Sequence, residues 1–182
     1  MSNRNWSHLI AVPVLVATAA PASATDYLSV ADAQHALIPQ AQSFVPFPVT
    51  LSPAQLGQIR KLSGVPQRTS QPSIWRAMQG RTTLGWVLVD EVVGKHEFIT
   101  YATAISPDGH VLGVEILNYR ESHGGEVRNL AWRARFRGKT LGDKFKLNQD
   151  IPNISGATLS CRNITDGVKR LLAIHSLVLA AA

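Results

Sequence analysis

The alternation of hydrophobic and polar positions is strand-like in the middle of the chain. Residues 86–89, 92–93 and 98–105 are rich in β-branched and aromatic side chains. Pro107-Asp108-Gly109 is a turn signal, and residues 111–117 return as the second arm of a hairpin. The pattern therefore predicts an antiparallel sheet in this part of the chain.

Helical patterns lie before and after these strands. Ser29 and Asp32 have the spacing of a helix start, and Pro39 ends that short helix. At residues 52–55 a capping serine is followed by proline and then by glutamine, and Gly64 ends the second helix. The apolar face of this second helix is predicted to be Leu56, Ile59 and Leu62.

The last part of the chain also has a helical period. Residues 130–136 form a predicted short helix, 144–147 a short strand, and 160–179 a longer helix. One stripe of the long helix carries Ile164, Val168, Leu171 and Leu172. The expected fold class is α+β: a single domain with an antiparallel sheet, flanking helices and a C-terminal helix.

The first segment has the order of a secretory signal. Arg4 precedes an apolar run at residues 9–20, and Ala22-Ser23-Ala24 offers small residues to a signal peptidase. A membrane anchor would need roughly 20 apolar residues, so the run is too short. We expect a signal peptide at 1–24, cleavage after Ala24, an N-terminal helical extension at 25–80 and the main domain at 81–182.

Composition excludes several classes of site. Cys161 is the only cysteine, which rules out an internal disulfide, an iron–sulfur cluster and a thiolate zinc site; the helix dipole is expected to lower its pKa. The histidines lack metal-ligand spacing, so no metal is predicted. The formal charge is +6, and export argues against nucleic acid as the partner. The basic cluster has two open interpretations, a solvated face or a docking face for an anionic partner; it contains Arg120, Arg128, Arg133, Arg135, Arg137 and Lys139.

The segment before the last helix carries the candidate chemistry. It reads Ser155-Gly156-Ala157-Thr158-Leu159-Ser160, a small-residue loop that feeds a helix N-terminus. Such a terminus favours a phosphate, because free N–H groups and the positive end of the dipole face it. The alternative is a simple capped helix start with Thr158 or Ser160 as the cap. From the residues alone the capped start is the simpler interpretation.

This segment resembles the Ser/Thr-Gly-Ala-Thr-x-Ser/Thr motif of the FMN-binding domain family. That family includes flavin-carrying subunits of the sodium-translocating NADH:quinone reductase and of the Rnf electron-transport complex. The resemblance implies that a periplasmic FAD:protein FMN transferase attaches FMN to Thr158 through a phosphoester. The other motif residues, 155–157, 159 and 160, are then expected to contact the cofactor. Pro152 stands where the family often has an aspartate.

A second stretch, residues 119–128 with Phe136, Gly138 and Lys139 after it, resembles the family's glycine-containing loop that lies against the flavin. The resemblance implies flavin contacts from Glu121, Ser122, Gly124 and Gly125. His123 is a candidate to deliver a proton to the ring. Residues 94–97 are similar to exported single-domain members of the family and receive no role.

The resemblance leads to one main functional expectation, a periplasmic electron-transfer flavoprotein that is not an enzyme with its own substrate. Its partners would be the flavin transferase and a quinol- or haem-linked membrane protein, with peripheral membrane contact. The first alternative is a small exported FMN-dependent reductase that acts on a metal or organic acceptor. The second is a binding module that holds FMN without a covalent bond, or holds none.

Overall fold

The computed structural model describes residues 27–121 and 123–182, so the predicted signal peptide lies outside the described residues. The described residues contain a five-stranded antiparallel sheet whose strands lie side by side in chain order. The strands are β1 (Ser43–Pro46), β2 (Ser73–Gln79), β3 (Thr82–Val93), β4 (Phe98–Ile105) and β5 (Val111–Tyr119). The predicted α+β class, with helices flanking an antiparallel sheet, is confirmed.

The helices are α1 (Val30–Leu37), α2 (Pro53–Ser63), α3 (Leu130–Arg133) and α4 (Thr158–Ile174), and a π-helical turn, His175–Leu179, follows α4. The predicted starts of α1 and α2 are confirmed, because Ser29 accepts a hydrogen bond from the N–H of Asp32 and Ser52 forms a capping box with Gln55. The region predicted as one helix at 130–136 is α3 followed by a 3₁₀ turn, Ala134–Phe136. None of the helices within the described residues is long and apolar enough to cross a bilayer.

Strands β1 and β2 come from the stretch assigned to an N-terminal helical extension, and the sequence pattern did not predict them. In β2 the guanidinium of Arg76 stacks on the rings of Phe47 and Trp86, at 4.8 and 4.7 Å from their centroids. A cation thus occupies a half-buried strand position. A register shift between Ala77 and Met78 also breaks the two-residue period. These two features conceal the strand from a pattern of alternation.

The predicted strand at 144–147 is wrong. The Asp150 carboxylate accepts hydrogen bonds from the backbone N–H groups of Phe145 and Lys146, at 3.0 and 2.6 Å. Phe145 has a left-handed backbone with φ of 52°. A side chain therefore takes the backbone donors that a strand would use, and only an isolated bridge between Leu147 and Ile151 remains.

The sheet separates two hydrophobic cores. On one face, α2 and α4 pack on alternate residues of β3 and β4, including Trp86, Leu88, Ile99 and Tyr101. On the other face, α1 packs on the residues between them, including Val87, Ala102 and Ala104. Leu62 was predicted to lie on the apolar face of α2, but it is 41 % exposed and Ser63 is buried instead.

Helix α4 lies unusually close to the sheet at Gly167. A Cβ at this position would collide with the Tyr101 hydroxyl and come within 3.0 Å of Val92. The Tyr101 hydroxyl donates to Asp90 at 3.1 Å, and Asp90 forms a buried ion pair with Arg170 of α4. Burial and the adjacent Asp90 charge raise the pKa of Tyr101, so the phenol remains a neutral donor. These contacts fix α4 on the sheet and thereby fix the place of its N-terminus.

We predict that Gly167→Ala destabilises the protein by about 1–3 kcal/mol, because the added methyl group overpacks the contact between α4 and the sheet. The matched control is Gly57→Ala on the exposed side of α2, where nothing lies within 4 Å of the added Cβ. That change is expected to stabilise by roughly 0.5–1 kcal/mol through helix propensity. Urea unfolding measures both variants, and equal effects of the two substitutions would contradict the close approach.

Candidate functional site

The two motif loops meet at a cleft of about 390 Å³, within the roughly 300–1,000 Å³ range of small-molecule sites. The N-terminus of α4 forms one part of it, and the loop after β5 and the turn between β3 and β4 form the rest. The cleft is lined by Lys95, His96, Glu121, His123, Gly156, Ala157, Thr158, Leu159 and Ser160. Residues far apart in the chain, predicted for one site from two motifs, therefore lie together.

The helix end that faces this cleft has no side-chain cap. The N-cap residue is Ala157, so the prediction that Thr158 or Ser160 caps the helix is wrong. The N–H of Cys161 bonds to the Ala157 carbonyl at 2.9 Å. The three N–H groups before it, in the first turn of α4, have no partner within the helix. The cleft thus receives the positive end of a 17-residue helix, a location that favours an anion.

Thr158 is the first residue of α4 and its side chain is exposed. Its hydroxyl accepts a hydrogen bond from the Asn153 carboxamide at 3.1 Å. Gly156, two residues earlier, has a left-handed backbone with φ of 80°, which turns the chain into the helix. A nucleophilic oxygen therefore stands at the positive end of the helix and at the edge of the cleft.

Gly124 joins the second loop to the first. Its φ is 84°, and a Cβ there would collide with the methyl group of Ala157 and lie 2.7 Å from the Tyr119 hydroxyl. That hydroxyl donates to the His123 carbonyl and lies 3.4 Å from the Ser160 hydroxyl. Burial raises the pKa of Tyr119, so it stays protonated. Small residues are required here because the two loops touch backbone to backbone.

Glu121 holds the turn between β3 and β4. Its Oε1 accepts hydrogen bonds from the N–H groups of His96 at 2.6 Å and Glu97 at 3.0 Å. Burial acts to raise the pKa of Glu121, but the N–H groups of residues 95–97 outweigh it and hold the pKa below its ordinary value. One carboxylate oxygen is therefore committed to the turn, and through it Glu121 sets the position of Lys95 and His96 on the cleft wall.

Sequence reasoning gave Lys95 and His96 no role, although it did single out the segment that contains them. The missing information is the contact of Glu121 with this turn, which joins residues 24 and 25 positions apart in the chain. No local pattern encodes such a contact. The similarity of residues 94–97 to exported family members was the one available signal.

The remaining predicted residues lie in different places. Ser122 is outside the described residues, and Ser155 is an exposed residue of the turn before the helix. Gly125 lines a second, more open groove of about 650 Å³, and His123 lines both this groove and the cleft. The exposed His123 imidazole thus belongs to a residue at the junction of the two spaces.

Most of the basic cluster is engaged by the protein itself. Arg128 lies 4.0 Å over the Tyr27 ring and donates to the Gly125 carbonyl, and Arg133 pairs with Glu115. Arg137 and Lys139 also have partners, the Leu112 carbonyl and Asp150. Only the exposed side chains of Arg120 and Arg135 keep to the predicted solvated face. The structure therefore gives the cluster a largely structural role.

Two other candidate chemistries find little support at the cleft. Burial raises the pKa of the Cys161 thiol, which corrects the expectation that the helix dipole lowers it. In the described part of the chain, no three histidine, cysteine or acidic side chains are grouped as a metal site would require. The hydroxyl of Thr158 is the nucleophile that the helix end presents.

Comparison with known proteins adds three findings. The sequence model of the family described as FMN-binding domain matches residues 94–173. The chain is 28 % identical over 102 residues to a subunit of the proton-translocating ferredoxin:NAD(+) oxidoreductase complex of Clostridium ljungdahlii, covering 52 % of this chain and 55 % of the relative, so it spans about half that protein's length. The crystal structure of Shewanella oneidensis NqrC is similar with a TM-score of 0.47 and 15 % identity, covering 74 % of this chain and 67 % of that one.

The family match begins at Gly94, the first residue of the turn that Glu121 holds. We predict that Glu121→Gln weakens this turn and lowers the free energy of unfolding at neutral pH by roughly 0.5–1 kcal/mol. A carboxyl whose pKa is lower in the folded protein stabilises it above the ordinary pKa, and this stabilisation is lost as the pH falls. The difference between variant and wild type should therefore shrink below the ordinary value of 4.5.

Urea unfolding at neutral pH and at about pH 3 measures this difference, and amide hydrogen exchange at His96 and Glu97 reports it locally. Exchange should be faster in Glu121→Gln. The control is Glu126→Gln, at an exposed residue whose carboxylate does not line the cleft. An equal loss at both pH values, or unchanged exchange at residues 96 and 97, would contradict the assigned contact.

Proposed function

We propose, from the FMN-binding domain that the chain contains at residues 94–173, that its cleft holds one FMN bonded through the phosphate to Thr158 and that the protein is an exported electron carrier. The observation that carries this proposal is the exposed Thr158 hydroxyl at the uncapped N-terminus of α4. A phosphate bonded there would lie against the free N–H groups of the first turn, which stabilise negative charge.

The residues of the cleft fit a phosphate-bearing cofactor. Its lining combines small residues, which allow close approach to the backbone, with the cationic side chain of Lys95 and the imidazole of His96. Leu159 is 45 % exposed beside Thr158 and offers apolar surface to an aromatic ring. When bound, FMN supplies reversible electron transfer, and the charges placed near it by the protein set its potential.

A covalent bond suits a carrier outside the cytoplasm, where a released cofactor would diffuse away. Two features of the sequence support export, the signal-like order of residues 1–24 and the absence of a disulfide requirement. We propose that an FAD:protein FMN transferase loads the protein in the periplasm and that a quinol- or haem-linked membrane protein exchanges electrons with it. The similarity to a subunit of an oxidoreductase complex supports a redox partner of this kind.

A small exported reductase is the second candidate. The observation that favours it is the open groove beside the cleft, lined by His123, Gly124, Gly125, Glu126, Arg128 and Asn129, which offers room for an acceptor. Steady turnover by the purified holoprotein, with an artificial donor and one small acceptor, would establish this function. The carrier function predicts instead that the reduced protein gives up its electrons to a redox protein much faster than to small acceptors.

The attachment is tested by intact mass spectrometry of protein produced in an exporting host with an active flavin transferase. Wild type should be heavier by one FMN less one water, because ester formation releases water's atoms overall. Thr158→Ala should lose the increment, and Thr158→Ser, which keeps a hydroxyl at the same place, should retain part or all of it. An increment on Thr158→Ala equal to that on wild type would overturn attachment at this residue.

A further inference from the structure

The loop before α4 is held in place at three points. Ile151 is completely buried, the indole N–H of Trp132 donates to the Pro152 carbonyl at 2.8 Å, and the N–H of Ala157 donates to the Ile154 carbonyl at 3.0 Å. Trp132 is itself 5 % exposed and packs edge-on against Phe136. Asn153, between these anchors, therefore has little freedom to move relative to the helix start.

From this loop the Asn153 carboxamide reaches the hydroxyl of Thr158. Its Nδ2 donates to Thr158 Oγ1 at 3.1 Å. Its Oδ1 is buried, and among the residues that the structure describes it has no hydrogen-bond partner. The carboxamide thus directs its one observed side-chain hydrogen bond at the hydroxyl. An arrangement that leaves a buried oxygen unsatisfied has a free-energy cost, which calls for a functional reason.

A threonine in a helix divides its hydroxyl between two rotamers, because Oγ1 can also bond to carbonyls of the preceding turn. The Asn153 amide favours the rotamer whose oxygen it meets. A net hydrogen bond of this kind shifts a rotamer ratio by roughly two- to tenfold. Since the amide donates rather than accepts, the hydrogen of the hydroxyl remains available to a base. The amide is also uncharged and does not repel a phosphate at the helix end.

We propose that Asn153 is a positioning residue for the loading of Thr158: it holds the hydroxyl in the orientation that attacks the flavin-bearing phosphorus. This inference rests on the proposed function. In the loading step, Thr158 Oγ1 forms a bond to the phosphorus on the FMN side of the FAD diphosphate. The bond from that phosphorus to the bridging oxygen breaks, AMP leaves with this oxygen, and the hydroxyl proton passes to a base. No electron is transferred.

The first test measures the orientation without the transferase. Three-bond NMR couplings from the Thr158 methyl carbon to its own N and carbonyl carbon report χ1 in the apoprotein. Wild type should show one dominant rotamer, and Asn153→Ala should show an average of rotamers. Asn153→Asp, whose carboxylate can accept the hydroxyl hydrogen, should retain one rotamer. A single unchanged rotamer in Asn153→Ala would overturn the proposal.

The second test follows loading over time with purified transferase and FAD, by intact mass. Asn153→Ala should load about tenfold more slowly than wild type, because misplacement of a reacting atom lowers rate steeply. Asn153→Asp should load faster than Asn153→Ala. Gln149→Ala, which removes an exposed carboxamide nearby in the chain that does not line the cleft, should load at the wild-type rate. Unfolding midpoints of all four proteins should agree closely.

The outcomes separate the two proposals. Loading of wild type together with loading of Asn153→Ala at the same rate overturns the role of Asn153 and leaves the attachment intact. Failure of wild type to load with an active transferase overturns the proposed function and this inference together. A slow Asn153→Ala variant whose unfolding midpoint has also fallen sharply, with no rescue by Asn153→Asp, indicates a structural role and also contradicts the proposal.

Discussion

The fixed position of α4 on the sheet is the constraint on which the site depends. Arg170 is 5 % exposed and its partner Asp90 lies on β3, so the helix and the sheet share a buried ion pair. Loss of either charge would leave the other buried without compensation, which is strongly unfavourable. Gly167 removes the side chain that would otherwise hold the two elements apart. Helix α4 is therefore fixed along its length, and its N-terminus cannot shift relative to the end of β5.

The cleft follows from that fixed position. The loop after β5 meets the start of α4 at the contact between Gly124 and Ala157, and the Tyr119 hydroxyl bonds to the same loop. Glu121 then extends the assembly to the turn between β3 and β4. Each contact requires a small residue or a buried acceptor rather than a large apolar side chain. This explains why the motif residues are glycine and alanine while the chemistry is carried by Thr158.

The sequence predicted the elements whose signals are local. Capping residues at Ser29 and Ser52 and the turn at residues 107–109 marked helix starts and a hairpin that the structure contains. Strand β2 escaped because Arg76 and a register shift interrupt its alternation, and the predicted strand at 144–147 failed because Asp150 takes its backbone donors. Physical reasoning alone favoured a capped helix start at Thr158. Only the resemblance to a family indicated a flavin, and the uncapped Ala157 agrees better with that interpretation.

The central claim is that a phosphodiester joins Thr158 to FMN, and ³¹P NMR of the folded holoprotein tests it most directly. A phosphate monoester, as in free or non-covalently held FMN, has a second pKa of about 6, whereas a diester has none in this range. The account predicts one flavin phosphorus resonance whose chemical shift stays constant between about pH 5 and 8. A resonance that titrates near pH 6 would contradict it.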